Sequence, residues 1–270
     1  MSATLLTIDN TFATARISLF GAQVLGFCPK HDGRERLFLS SKALLDGSKS
    51  IRGGVPVCWP WFGAYKGAST ATGLPAHGYA RTRRWQLVTL VERAEGTELV
   101  LELADAGGPG FDGKAELQLV IKVGEKLSMK LVTRNTGSVP FPLSAALHTY
   151  FLIDDIRAAQ VKGLSGTYSD KTQNWALLPT PSPYRFNAQT DRIHLEKPAL
   201  LELVLTNRVI KIESSGHDSV VVWNPWEDSS KSFVDLAPDD YQHFVCIETA
   251  LTQGFELLPG QQHHLQQTIS

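Results

Sequence analysis

A few side chains in this sequence have the types and settings to do chemistry. His148 interrupts the apolar run "SAALHTYF" at 144–151, and Glu248 interrupts "FVCIETAL" at 244–251. An imidazole titrates near pH ~6.5, so it can give or take a proton under ordinary conditions. An ionised carboxylate is costly to bury without partners, and burial raises its pKa. Each residue has a plain structural reading as well: a hydrogen-bonded core histidine, and a salt-bridged core glutamate. Arginine is the third feature, with Arg52 just before Gly53-Gly54 and Arg81 within "HGYARTRRW". Two guanidinium groups can clamp a phosphate or carboxylate, and neighbouring glycines let backbone N–H groups approach a ligand. Solvent-facing arginine is the ordinary alternative, and His77 in the same segment is open in the same way.

The elements carrying these residues read as strands. In extended chain, Ala146, His148 and Tyr150 share one face, as do Cys246, Glu248 and Ala250. Period-2 alternation recurs in "ATARISLFGAQVLGF", "WQLVTLVERAEGTELVLELAD", "AELQLVIKVGEKLSMKLVTRNTG", "ALLELVLTNRVIKIESSG" and "DSVVVWNPW". Residues 94–97 and 123–126 read as hairpin connections. Helical periodicity is confined to two short pieces, near 40–48 and 237–244. The expected fold class is all-β: an antiparallel β-sandwich with few short helices, spanning residues 1–270 as one domain. The longest irregular stretch, 49–79, is rich in Gly and Pro and holds Trp59, Trp61 and Phe62. It reads as a functional loop, a cover over a sheet edge, or both.

Other classes fall away. The chain has 270 residues and a net charge of −1, from 26 basic and 27 acidic residues. That balance argues against a nucleic-acid or membrane-surface binder, so anion recognition has to be local. Cys28, Cys58 and Cys246 are odd in number and far apart, suggesting neither disulfides nor a zinc site. The expectation is a cytoplasmic protein with free thiols, no leader peptide and no membrane span. Gly108–Gly113 matches G-x-G-x-x-G, but "KAELQLVIKV" follows it and alternates as a strand, so it reads as a hairpin loop rather than a nucleotide site. His263-His264 would point to opposite faces of a strand, which argues against a metal pair. Lys231 reads as a solvated surface lysine and is a weak candidate for an anion site.

Taken together, "RGGVPVCWPWFG", "HGYAR", "LHTYF" and "CIETA" resemble, in order, the aldose 1-epimerase (galactose mutarotase) superfamily, and in particular its hexose-6-phosphate mutarotase branch. The similarity runs from about residue 15 to the C-terminus. It implies a β-supersandwich with an open carbohydrate cleft, and cofactor-free interconversion of hexose 6-phosphate anomers; a mutarotase of unphosphorylated aldoses and a non-catalytic sugar-phosphate-binding sandwich stay open as alternatives, and the chain is expected to be a monomer. By this resemblance His148 is the general acid and Glu248 the general base. Arg52 and Arg81 hold the phosphate, Asp191 in "AQTDRIH" meets sugar hydroxyls, and His77 lines the cleft. Ala76 departs from the glutamine common at that position. Mutarotation opens and recloses a hemiacetal, so it needs one group to take a proton and another to give one. The apolar flanks of His148 would keep its imidazole near neutrality and hold the ring still.

Overall fold

The computed structural model of the protein describes residues 4–67 and 73–270. Residues 68–72 of the long loop lie outside the described part. Two large antiparallel sheets pack face to face. One runs in the order Tyr184–Arg185, Gln160–Lys162, Leu200–Val204, Val209–Ser215, Gln262–Ile269, Leu127–Asn135, Ala115–Val123, Gly96–Leu103, Gln86–Arg93. The other runs Ala176–Pro179, Thr167–Asp170, Thr190–His194, Ser219–Asn224, Phe244–Leu257, Phe141–Leu147, Val57–Cys58, and Tyr150–Leu152 also pairs with Phe244–Leu257. A three-stranded sheet of Leu5–Asp9, Ala13–Ser18 and Gln23–Pro29 completes the sandwich. The antiparallel all-β architecture expected from the alternation is the one observed.

The alternation explains the layers. Leu117, Leu119 and Ile121 of one sheet and Leu147, Val220, Val222 and Ile247 of the other meet in a single apolar cluster. Each such side chain, fully buried, contributes on the order of 1.5–3 kcal/mol. The intervening residues of the second sheet point the other way. Cys58, Ala146, Val221 and Ala250 form a separate small cluster on that outer face. This face is the floor of the site.

The hairpins at 94–97 and 123–126 form, and Gly108–Gly113 falls in the connection between Gly96–Leu103 and Ala115–Val123, not before a helix. Three expectations need correction. The segment 40–48 is turn and bend rather than helix, because Ser40 Oγ takes the Lys42 N–H and the Ser48 N–H goes to Asp46. The segment 237–244 holds only a 3₁₀ turn at Asp240–Gln242. A short α-helix at Trp226–Ser230 follows the Asn224-Pro225 pair and was not anticipated. Pro fits there because the first helical N–H groups have no intrahelical partner.

The most informative correction concerns "SAALHTYF". It is not one strand: the first strand ends at Leu147, and Tyr150–Leu152 begins after a gap of two residues, His148 and Thr149. At the break the His148 N–H goes to the Pro56 carbonyl (3.0 Å) and the Tyr150 N–H to the Gly54 carbonyl (2.9 Å). The loop at 52–56 has taken over these hydrogen bonds. Gly53 and Gly54 serve that contact. Both have positive φ, and a side chain on them would collide with the backbone carbonyls of Phe38 and Val24. Their freedom is used for packing backbone on backbone rather than for approach to a ligand.

Candidate active site

Strand register builds the site. Leu147 pairs with Thr249, and Tyr150 with Cys246. Carried through the break, the same register sets His148 opposite Glu248. Glu248 pairs in turn with Val221, and Val221 with Ile193. The next row is Tyr150, Cys246, Trp223 and Asp191. Of the five titratable side chains in these two rows, Cys246 is closed off in the apolar packing, and His148, Glu248, Tyr150 and Asp191 face the open side of the sheet. They line a cavity of about 260 Å³ with Arg52, His77, Arg81 and Lys171. That volume suits a monosaccharide-sized ligand, and the walls mix aromatic rings with a few convergent polar groups.

His148 Nε2 lies 3.2 Å from Glu248 Oε1, and the two residues are 8% and 1% exposed. Burial pushes the Glu248 carboxyl well above the usual carboxylate range, and the Asp191 charge adds to the effect. Burial also pushes the His148 imidazole well below its ordinary value, helped by His77 and Arg81. The expectation that the apolar flanks hold this imidazole near neutrality is therefore wrong in direction: desolvation penalises the imidazolium. Both shifts favour the neutral forms, so the couple holds one proton between two adjacent atoms. Glu248 Oε2 and His148 Nδ1 are buried with no hydrogen-bond partner among the described residues. The couple is thus able both to accept and to donate. Behind it, on the core side, Thr149 donates to Gln267 Oε1, and Gln267 Nε2 donates to Thr249 Oγ1 (2.9 Å) and to the Ile247 carbonyl (3.2 Å). This polar bridge ties the two sheets together under the catalytic-type pair.

The cations are held differently from one another. Arg52 donates from Nε to Asp235 Oδ1 (3.1 Å) and from Nη1 to Tyr150 Oη (3.0 Å), with its guanidinium over the Phe233 ring. Burial lowers the Arg52 pKa, but Tyr150 and Asp235 outweigh it and raise the value overall, so the group stays charged. Arg81 donates from Nη2 to the Ala76 carbonyl (3.0 Å). Position 76 therefore contributes backbone rather than side chain. Lys171 reaches both Asp191 oxygens at 3.0 Å. Burial raises the Asp191 carboxyl, and Lys171 opposes the shift.

His77 has φ 64°, an uncommon conformation for a non-glycine residue, and its Nδ1 accepts from the Gly63 N–H (3.3 Å). Burial, with Arg81, Lys171 and Arg52 nearby, lowers its pKa to about 3. The ring is therefore neutral, and its proton sits on Nε2.

All six residues singled out from the sequence, His148, Glu248, Arg52, His77, Arg81 and Asp191, line this one cavity. Lys231 does not; it is exposed and pairs with Asp228 (3.1 Å). Of the 59–62 aromatics, Phe62 lines the cavity, whereas Trp59 and Trp61 are core. His263 bonds the Gly216 carbonyl, and His264 approaches Gln262. Lys171, Tyr150, Trp223 and Asp235 were missed. Tyr150 was in view as the face-mate of His148; Lys171 and Asp235 gave no local signal.

A β-sandwich with a buried histidine–glutamate pair in a sugar-sized, arginine-flanked cleft matches one class, the galactose mutarotase-like proteins. The Aldose 1-epimerase family model matches residues 4–270, and the chain belongs to that family. It is 33% identical over 271 residues to a provisionally named glucose-6-phosphate 1-epimerase of Escherichia coli (strain K12), covering 98% of this chain and 89% of that one. A relative from Cenchrus ciliaris with the same provisional name is 30% identical over 266 residues, covering 92% and 78%. The crystal structure of a provisionally named mutarotase from Salmonella typhimurium superposes with a TM-score of 0.90 at 31% identity, covering 99% of this chain and 90% of that one.

Proposed function

We propose that this protein interconverts the α and β anomers of a hexose 6-phosphate, D-glucose 6-phosphate foremost, by acid–base ring opening and closure. The observation that carries the reading is the His148–Glu248 couple, 3.2 Å apart, in a cavity that Arg52 and Arg81 also line. The names of the relatives support the choice of substrate.

In this reading the couple rests as neutral imidazole and carboxylic acid. Moving the shared proton to His148 gives the reactive form, carboxylate beside imidazolium. Glu248 takes the proton from the C1 hydroxyl while His148 gives one to the ring oxygen. The C1–O5 bond of the hemiacetal breaks, leaving an aldehyde at C1 and a hydroxyl on C5. Rotation about C1–C2 presents the other carbonyl face, and closure runs the transfers in reverse. The proton count of the couple is restored each cycle, with no covalent intermediate. His77 offers its Nε2 proton to a sugar oxygen, and Asp191 accepts from a hydroxyl while Lys171 holds it. Arg52 and Arg81 supply charge for a phosphate that a neutral hexose lacks. The protein acts as a monomer of one domain, and its three unpaired thiols suit the cytoplasm.

The test is the exchange rate between anomers of glucose 6-phosphate and of free glucose, read by magnetisation-transfer NMR for wild type and His148→Ala. Acceleration for the phosphorylated sugar that is lost in the variant supports the reading. Equal acceleration of both sugars points to a general aldose mutarotase, and binding without acceleration to a non-catalytic sugar-binding protein.

A further inference from the structure

Tyr150 sits between the two functional ends of the cavity. Its ring stacks on His148, with centroids 5.0 Å apart and planes 16° from parallel. Its other ring neighbours are Phe244 at 5.1 Å, Trp223 at 6.0 Å and Phe38 at 6.5 Å, and it is 3% exposed. The tyrosine ring is thus clamped on several sides, and it forms one wall of the slot in which the imidazole lies. The His148 backbone at the strand break is held by the Pro56 carbonyl, and the Tyr150 ring adds a contact to the imidazole itself.

The phenol oxygen has a defined role in the hydrogen bonding. Arginine can only donate, so the 3.0 Å contact from Arg52 Nη1 makes Tyr150 Oη an acceptor. The hydroxyl proton is then free, and among the described residues no protein atom accepts it. Arg52 in turn uses Nε on Asp235 and one Nη1 proton on Tyr150. Its remaining N–H protons, beside the Tyr150 O–H, make a patch that only donates. Such a patch matches an acceptor-only anion such as a phosphate, and matches less well a sugar hydroxyl that must also donate.

We propose that Tyr150 is a positioning and specificity residue: its ring fixes the plane of the His148 imidazole, and its hydroxyl, oriented by Arg52, donates to the anionic 6-substituent of the substrate. The inference rests on the hexose 6-phosphate reading above and adds a third phosphate donor to it.

The test uses Tyr150→Phe, which keeps the ring and removes the donor, and Tyr150→Leu, which removes the ring. Folding of each is checked by circular dichroism and thermal melting. A hydrogen bond to a charged group corresponds to roughly a tenfold to hundredfold effect. Tyr150→Phe is therefore expected to lower kcat/KM for glucose 6-phosphate about tenfold more than for glucose, mainly through KM, and to weaken competitive inhibition by inorganic phosphate. Tyr150→Leu is expected to lower kcat for both sugars as well. Equal effects of Tyr150→Phe on the two sugars, with phosphate inhibition unchanged, would overturn the donor role. Unchanged kcat in a folded Tyr150→Leu would overturn the positioning role. A wild type with no preference for the phosphorylated sugar would overturn the functional reading itself, and the donor role with it.

Discussion

His148 and Glu248 face each other across an antiparallel strand pair, with Nε2 and Oε1 3.2 Å apart, at the one place where the strand before Tyr150 is broken. The break matters physically. It lets His148 occupy a cross-strand position without the ladder bonds of an ordinary strand, while Ile247 still donates to the Thr149 carbonyl at 3.2 Å and keeps the register. The pair is thus set by strand register together with the 52–56 loop, whose Pro56 carbonyl accepts the His148 N–H.

Glu248→Gln keeps the shape of the buried side chain but removes the exchangeable proton. Anomer exchange is expected to fall by about 10²–10⁴-fold, the usual contribution of one positioned acid–base group. The melting temperature should stay at or above that of wild type, because the variant buries a neutral amide. A folded Glu248→Gln enzyme with full activity would remove Glu248 from the mechanism.

The pH profile follows from the two shifts. His148 is held well below 6.5 and Glu248 well above 4.5. Protonating the neutral couple requires imidazolium, so the acid limb moves to lower pH. Deprotonating it requires carboxylate, so the basic limb moves to higher pH. The singly protonated couple then spans neutrality, and kcat should be flat around pH 7. The two limbs belong to the pair rather than to either residue. A narrow optimum between pH 4.5 and 6.5, already falling at 7, would mean the groups are unperturbed.

Arg52 is oriented by Asp235, which approaches Nε at 3.1 Å. Asp235→Asn removes the carboxylate charge beside the guanidinium while leaving an amide oxygen able to accept from Nε. The preference for glucose 6-phosphate over glucose should then change through KM, by about threefold to tenfold. Arg81→Met should lower that preference, since a cavity-wall charge with no carboxylate partner among the described residues is lost. Competition assays with the two sugars measure both. Unaltered preference in both variants would move the phosphate site elsewhere.

Gln267 links the sheets beneath the couple through Thr149, Thr249 and the Ile247 carbonyl, all buried. Gln267→Ala removes the partner of the buried Thr149 hydroxyl and of the Ile247 carbonyl, while Thr249 Oγ1 keeps its contact with Ser214 Oγ (2.7 Å), and should cost about 1–3 kcal/mol in urea unfolding. A single cooperative transition in the same experiment would agree with one domain, and two transitions would separate the sheets.

His194 is a useful contrast, a buried histidine in contact with Tyr184 Oη and Thr180 Oγ1, each at 3.2 Å. Burial lowers its pKa to about 3, with Arg192 adding to the effect. The unfolded chain binds a proton near pH ~6.5, so this group's stability is present above that value and is lost as pH falls towards 3. His194→Gln should flatten the decline in unfolding midpoint between pH 6.5 and 4. An identical slope in the variant would contradict the burial argument.

The lesson about sequence and structure lies in these residues. Alternation is a local property, with a period of two set by the pleat. The sequence by itself therefore determined an antiparallel all-β protein and the face shared by Ala146 and Tyr150, and by Cys246 and Ala250. The four short motifs pointed to six of the cavity residues. What only the tertiary structure decided is pairing at a distance. The register that sets His148 against Glu248, the capture of Asp191 by Lys171 and of Arg52 by Asp235, and the loss of strand at His148 to the Gly54–Pro56 backbone all depend on contacts between remote segments. So does the direction of the His148 pKa. The apolar flanks suggest an imidazole near neutrality, but burial acts on the charged form, and burial is a property of the folded chain.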